Sequence, residues 1–260
     1  MEYADVATGR VERLAGSAFV IAAGPVDSTE ILLRSRSSTF PTGLGDGHGA
    51  LGRYLHDHPR EWWPARPTRP LTALVQPMYI GRQPYDPAHA LHATSLTIGL
   101  GSMRARLASL VNRRTFEFGV QTFGTMVPTD EKALTLDPGF QPDDPSSWLH
   151  LDVAFDDRTV ANLHHARQRF RDAFAAAGNP MEIGPFHELI PGTSVHLGGT
   201  ARMHERPEFG VVDGDNRVHG APNVVVCDAS CFTTGPEKNP TLTAMAIAAR
   251  AARRLAARQG

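Results

Sequence analysis

Cysteine is almost absent from this 260-residue chain: Cys227 and Cys231 are the two. That excludes a disulfide-built scaffold, and no set of ligands stands at zinc-finger spacing. The two could pair, but two buried thiols in a reducing compartment is the simpler expectation. Charge of one sign is not in excess either. A formal net charge of -1 leaves no electrostatic footprint for nucleic acid. No run approaches the roughly 20 apolar residues of a membrane span, and the first residues lack the form of a signal peptide. No internal repeat or low-complexity segment is visible. These absences lead to the expectation of a cytoplasmic protein without a membrane span.

What is there suffices for a core. The chain is 41% hydrophobic, and its 24 glycines and 20 prolines imply many turns. That suits a loop-rich α/β enzyme of one large or two modest domains.

The most legible stretch lies near the end. Val224, Val225 and Val226 read as a buried strand. Asp228 stands at its carboxyl end, where open α/β sheets bind ligands. Asn239 suits a helix N-cap and Pro240 the first helical position. Leu242, Met245, Ala249 and Leu255 then recur at roughly helical spacing, with arginines 250, 253, 254 and 258 toward the C-terminal end, where the helix dipole favours cations. A helix N-terminus aimed into a cleft can receive an anion; a unit that merely packs is the blander alternative.

The chain opens on strands: Tyr3–Val6, Val11–Leu14, then Ala18–Ala23 running into Gly24. Asp27 to Glu30 has capping-box spacing, so a short helix follows. Gly47, Gly49 and Gly52 match the letters G-x-G-x-x-G, but they follow a polar, proline-containing segment and precede no helix. They are read as loop glycines, which removes the only basis for a nicotinamide dehydrogenase. Leu51–Pro59 reads as a surface loop that could edge a site through Asp57 and His58.

The middle changes style. Trp, Pro and Arg crowd the segment from Glu61 to about Gly81. Thr94–Leu100, Thr115–Thr122, Gly124–Val127, Leu134–Leu136 and His150–Ala154 have strand character, Ser102–Asn112 could be an amphipathic helix, and Pro138–Ser147 is a loop. Val160–Ala177 carries a helical apolar stripe of Val160, Leu163, Phe170 and Phe174, stopped by Gly178; His164 and His165 on it are read as solvated. Together Glu61–Pro191 suggests an antiparallel sheet with helices.

Chemistry concentrates in Ser194–Met203. His196 can be poised as a base near neutral pH, and Gly198 and Gly199 permit close backbone approach to a ligand. A turn-rich hairpin, Gly210–Gly220, follows.

Taken in order, His196-x-Gly198-Gly199-Thr200-x-Arg202-Met203, Val211-Val212-Asp213, Asn223–Ser230 and Asn239-Pro240-Thr241-Leu242-Thr243 resemble the C-terminal portion of the glucose–methanol–choline flavin oxidoreductases. Phe19–Gly24 and Leu51-Gly52-Arg53-x-Leu55-x-Asp57-His58 resemble that family's middle portion. The resemblance is specific between His196 and Arg250 and weak in Glu61–Pro191. It implies an FAD enzyme that oxidises the CH–OH group of an alcohol, sugar or polyol, with hydride passing to flavin N5. His196 matches the family's histidine base, and Asn239 the second catalytic position, whose amide would bond the substrate oxygen. Asp228 and Ala229 match positions along the ribityl–pyrophosphate region, and Gly24 borders the ADP end. Asn239, Pro240 and Thr241 match the helix start beneath the flavin pyrimidine, where partial positive charge favours the reduced flavin.

Two departures stand out. His204 replaces the glycine usual after Met203. The family's leading strand with its true glycine fingerprint is not found. The expectation is therefore an α/β (α+β) chain in two regions: residues 1–58 and 205–260 as a partial, Rossmann-like FAD-binding domain, and residues 59–204 as a substrate-binding domain. The alternative is a truncated, non-catalytic remnant, or one subunit of a split flavoenzyme whose partner chain carries the other FAD-binding segment.

Overall fold

The computed structural model describes residues 1–68, 78–80, 93–99, 118–137, 139, 149–183, 190–235 and 237–259. The helix expected over 102–112 and most of the loop expected over 138–147 lie outside them.

The fold mixes helices with parallel and antiparallel sheet, as the sequence implies. Strands β1 (Glu2–Ala4) and β2 (Val11–Arg13) form an exposed antiparallel hairpin. β3 (Phe19–Ile21) leads through Gly24 into α1 (Pro25–Arg34). That helix starts three residues before the capping box suggests. Gly24 is its N-cap at φ 92 and Pro25 fills the first position, so backbone geometry rather than the Asp27 side chain sets the start.

β4 (Arg60–Pro67), β5 (Met78–Ile80), β6 (Ala93–Gly99) and β7 (Phe118–Gly124) join β10 (Met181–Ile183) in an antiparallel sheet ordered β10-β4-β7-β6-β5. Its alternation is clear on β4. Glu61, Trp63 and Ala65 are buried, while Arg60, Trp62 and Pro64 are half-buried on the opposite face. The buried face lies under α2 (Asp157–Ala176), whose Phe170 meets Trp63 edge-on at 5.4 Å. Each such aromatic contributes about 1.5–3 kcal/mol by leaving water. Asp156 caps α2 by accepting from Thr159 N–H at 2.7 Å, and Gly178 at φ 75 ends it. β8 (Ala133–Leu136) and β9 (Leu149–Asp152) form a further hairpin.

The last region closes back on the first. β11 (Arg217–Val218) and β12 (Ala221–Val226) are antiparallel, and β12 pairs in parallel with β3 in the register Val224–Phe19, Val225–Val20 and Val226–Ile21. The main core gathers around this sheet, from Leu32 and Leu33 of α1 to Val211, Val224 and Val226. Asn216, fully buried at φ 65, bonds Val226 O and Cys231 Sγ. Both cysteines are free thiols; burial pushes Cys231 up to about 12.

α3 (Thr241–Gln259) differs from expectation on two counts. Pro240 O accepts from Ala244 N–H at 2.9 Å, so the first hydrogen-bonded turn begins at Pro240, not Asn239. Its packed face also differs: Ala244 and Ile247 meet the core and Ala251 is buried, whereas Leu242 and Met245 are 78% and 63% exposed. Arg254 and Arg258 pair with Asp215, which fixes the helix end on the 213–217 turn. No described helix is long and apolar enough to cross a membrane.

Candidate active site

Two turns meet at the carboxyl ends of the parallel strands β3 and β12. Asp228 bridges them. Its Oδ2 accepts from Gly24 N–H at 3.1 Å and from the Ser28 hydroxyl, and its Oδ1 accepts from Ser230 N–H at 2.8 Å and Ser230 Oγ at 2.6 Å. Four donors use up the acceptor positions of a carboxylate. Asp228 therefore shapes the Gly24 turn and the 3-10 turn Ala229–Cys231, and its side chain has no position spare for a further donor.

The loop carrying His196 is laced to both turns. Gly199 N–H donates to Ala229 O at 3.2 Å, and Ala201 N–H to Ser230 O at 2.8 Å. Thr200 Oγ1 donates to Pro25 O at 3.0 Å and receives Thr29 Oγ1 at 2.7 Å. The glycines beside His196 have a role the sequence does not disclose. A Cβ on Gly198 would stand 2.9 Å from His56 Nε2, on Gly199 2.5 Å from His56 Nδ1, and on Gly235 2.5 Å from His56 Cδ2. The three glycines wall in the buried His56 ring. Burial lowers His56 to about 4, against the opposing pull of the Tyr54 carbonyl.

Apart from exposed Arg53 and half-buried Tyr54, residues 51–59 are interior, not the surface loop expected from sequence. His56, Asp57 and His58 are all buried. The backbone enters with Gly52 N–H on Thr200 O at 2.7 Å, and Gly52 (φ 82) would place a Cβ 2.0 Å from Leu134 O. That close approach explains the glycine, and the 47–52 run is turn and loop, as its rejection as a dinucleotide fingerprint requires.

Asp57 then organises the base loop. Its Oδ2 accepts from Ser194 N–H at 3.2 Å and its Oδ1 from His196 N–H at 3.0 Å. Ser194 Oγ donates to His58 O at 2.5 Å. Val195, between the two held amides, has φ 53 and is 81% exposed. A β-branched residue in the left-handed region is strained, and such strain gathers at functional sites.

His196 itself is half-buried. Its Nδ1 lies 3.0 Å from His58 Nδ1, with the rings edge-on at 4.9 Å. Among the described residues Nε2 has no hydrogen-bond partner. Burial lowers its pKa, Asp57 raises it, and Arg60, whose guanidinium donates to Thr193 O at 3.2 Å, lowers it. Phe123, opposite Arg60 on the sheet, has its ring 6.3 Å from His196. The half-open face of the antiparallel sheet is thus turned toward the base loop.

The structure brings together His196, Asp57, His58, Gly24, Asp228 and Ala229 through this lacing. Asn239, Pro240 and Thr241 stand at the start of α3, Asn239 exposed, and no hydrogen bond among the described residues joins Asn239 to His196. The sequence places Asp57 and His58 on a loop that could edge a site, but gives no sign of the contact between His58 and His196. His204 makes its own turn, receiving Arg206 N–H at 3.0 Å and packing on Phe209 at 5.3 Å. No group of three or more metal-ligating side chains occurs among the described residues.

Comparison with known proteins agrees with the sequence reading. Residues 128–248 match the GMC oxidoreductase family. The chain is 29% identical over 255 residues to paromamine 6'-oxidase of Streptomyces fradiae, covering 94% of itself and 46% of that protein. It is 26% identical over 287 residues to 2-methyl-1,2-propanediol dehydrogenase of Mycolicibacterium austroafricanum, covering 96% and 49%. In structure it is similar to the formate oxidase of Aspergillus oryzae RIB40, a protein whose FAD undergoes modification, at TM-score 0.65 and 15% identity, covering 99% of this chain and 57% of that one. The chain spans about half the length of the curated relatives it matches.

Proposed function

We propose, from the match of residues 128–248 to the GMC oxidoreductase family, that this chain takes part in FAD-dependent oxidation of the CH–OH group of an alcohol, sugar or polyol, with His196 as the base. The observation that carries the reading is the position of His196: a half-buried imidazole with one nitrogen unpartnered among the described residues, on a loop tied to both turns at the carboxyl ends of β3 and β12. Such an edge is where open α/β sheets receive a ligand.

The residues fit a flavin dinucleotide. A Cβ at Gly24 would meet nothing within 4 Å, so the turn leaves room at the head of α1. The first turn of α3 is exposed at Thr241, Leu242 and Thr243, and its N–H groups have no partners within the helix. Gly24 and Ala229 would line the cofactor by their backbones. Asp228 would act by holding those backbones, and Asn239, Pro240 and Thr241 would face the ring end with the positive pole of the helix. When bound there, FAD supplies the hydride acceptor, at N5, for the carbinol carbon.

The proton is the protein's concern. His196 Nε2 takes the hydroxyl proton as the carbon–hydrogen pair of electrons leaves, and a carbonyl results. The Asn239 amide hydrogen-bonds the substrate oxygen and limits its orientation. Residues 59–204, with the half-open sheet face of Arg60, Trp62, Gln121 and Phe123, would hold the substrate, and residues 1–58 and 205–260 the cofactor.

In flavin-loaded protein, His196→Ala should depress alcohol oxidation by about 10²–10⁴-fold, and Asn239→Ala should impair turnover more than flavin retention. Unchanged flavin reduction in His196→Ala would remove His196 from this role. A second reading, in which the chain holds no FAD by itself and works with a partner chain or not at all, is favoured by its matching about half of each relative. A purified chain that is colourless, and stays so with added FAD, would support it.

A further inference from the structure

We propose that His58 is a positioning residue that fixes which nitrogen of His196 can act as the base. The inference rests on the reading of His196 given above and deepens it. Two imidazole nitrogens 3.0 Å apart, Nδ1 against Nδ1, make a hydrogen bond only with one proton between them. With none, two lone pairs face each other; with two, both N–H groups collide. The pair therefore has two neutral arrangements. If His58 donates, His196 accepts at Nδ1 and carries its own proton on Nε2, the nitrogen left for substrate, which is then no base. If His196 donates from Nδ1, its Nε2 holds a lone pair. Function as a base selects the second arrangement, in which His58 accepts at Nδ1 and carries its proton on Nε2.

The surroundings keep this geometry fixed. His58 is buried, its carbonyl is held by Ser194 Oγ, and the following residue, Pro59, accepts from Gly124 N–H at 2.7 Å. The two rings cross edge-on at 84°, and Phe123 packs against both, 5.7 Å from His58 and 6.3 Å from His196. His196 cannot turn its ring over without losing this partner, since Asp57 holds its backbone amide. Among the described residues, the charged and titratable groups that act on the pair are Asp57, Arg60 on β4, and His56, which interacts with His58.

A catalytic consequence follows. When Nε2 takes the hydroxyl proton, His196 becomes an imidazolium whose Nδ1–H still donates to His58 Nδ1. An acceptor at that point favours the charged form. His58 thereby raises the basicity that burial of His196 lowers, and it does so as a neutral group that adds no charge beside the flavin site. A carboxylate in the same place would add one.

The deciding experiment reads the ring tautomers by long-range proton–nitrogen NMR on the full chain labelled with ¹⁵N-histidine, at a pH where both rings are neutral, with or without flavin. His58→Gln and His196→Gln assign the signals. The expected result is His196 protonated on Nδ1 and His58 on Nε2. The reverse pattern, or a free-solution mixture at His196, overturns the proposal. In flavin-loaded protein, His58→Leu should lower the maximal rate by about 10²-fold and move the acid limb of the rate to lower pH, while His58→Gln, which restores an acceptor, should recover part of both. A uniform loss of rate with an unmoved limb in both variants also counts against it. If His58→Leu does not fold, the wild-type tautomers still decide. Failure of the functional reading looks different: His196→Ala would turn over normally whatever the tautomers are.

Discussion

The carboxylate of Asp57 holds the backbone amide of His196, 139 residues further along the chain, at 3.0 Å. The same carboxylate holds Ser194 N–H, so Val195 is forced into its left-handed conformation between two fixed points. Removing the clamp and relieving the strain should therefore have opposite effects. Asp57→Ala should lower the unfolding free energy by at least about 1.5–3 kcal/mol, the range for one hydrogen bond to a charged group. Val195→Gly, at an exposed site, should be neutral or stabilising, because glycine adopts that conformation freely. Urea unfolding of both variants checks this; a Val195→Gly loss of the ordinary Val-to-Gly kind would mean that the loop carries no strain.

Asp228 makes the corresponding junction between the two turns at the sheet edge. Asp228→Ala abandons four donors, three of them hydroxyl or amide groups of Ser28 and Ser230 and the fourth Gly24 N–H. The expected loss again exceeds about 1.5–3 kcal/mol. Asp228→Asn should recover part of it, because an amide oxygen still accepts, while its NH₂ must face a donor. Equal stability of Asp228→Ala and wild type in denaturant would show that Asp228 does not join the turns.

Gly199 and Gly178 separate two costs of replacing a glycine. Both have positive φ, 89 and 75. A Cβ on Gly178 meets nothing, whereas one on Gly199 meets Tyr54 O at 2.3 Å and His56 Nδ1 at 2.5 Å. Gly178→Ala should cost about 1–2 kcal/mol, the left-handed penalty alone. Gly199→Ala should cost more than about 4 kcal/mol, or prevent folding, because backbone cannot move aside. Circular-dichroism melts would resolve the two; similar melting temperatures would contradict the packing of His56 against this loop.

These residues also mark what a sequence discloses. β3 and β12 were legible as short apolar runs ending at a turn, though not their parallel pairing, and so was α2, with its periodic Leu163 and Phe170 and its stop at Gly178. The start of α1 was misplaced because Gly24 and Pro25 fix it by backbone conformation while Asp27 only has the spacing of a cap. The face of α3 was misread because Leu242 and Met245 are apolar but exposed, and small residues, Ala244 and Ala251, pack closest. At the site, His196 and Asp228 stood out by local pattern. Asp57 and His58 were legible only as a possible site edge on a surface loop, since their partners lie 136 to 139 residues away, and nothing local tells a buried polar loop from a surface one.

The buried ring of His56 makes folding stability depend on pH. The folded protein holds the ring neutral, with its pKa lowered to about 4 by burial, while the unfolded chain should titrate near the ordinary value of 6.5. Between those two values the unfolded state binds the proton and the folded state does not, so stability rises with pH across the window. Its contribution is complete above pH 6.5 and is lost as pH falls toward 4, an amount of the order of 3 kcal/mol for a fall from 6.5 to about 4. Other groups titrate in the same range: His196 is lowered too, by burial, and adds the same sign. The comparison must therefore be made by difference. His56→Gln keeps a polar side chain in the glycine-walled space without a titrating ring. It should be less stable than wild type at pH 8, where the imidazole packs best, yet lose less stability between pH 6.5 and 4. Urea-derived unfolding free energies at several pH values in both proteins measure that difference in slope. Parallel curves would mean that His56 is protonated alike in the folded and unfolded chains, and that the enclosure by Gly198, Gly199 and Gly235 does not keep it neutral.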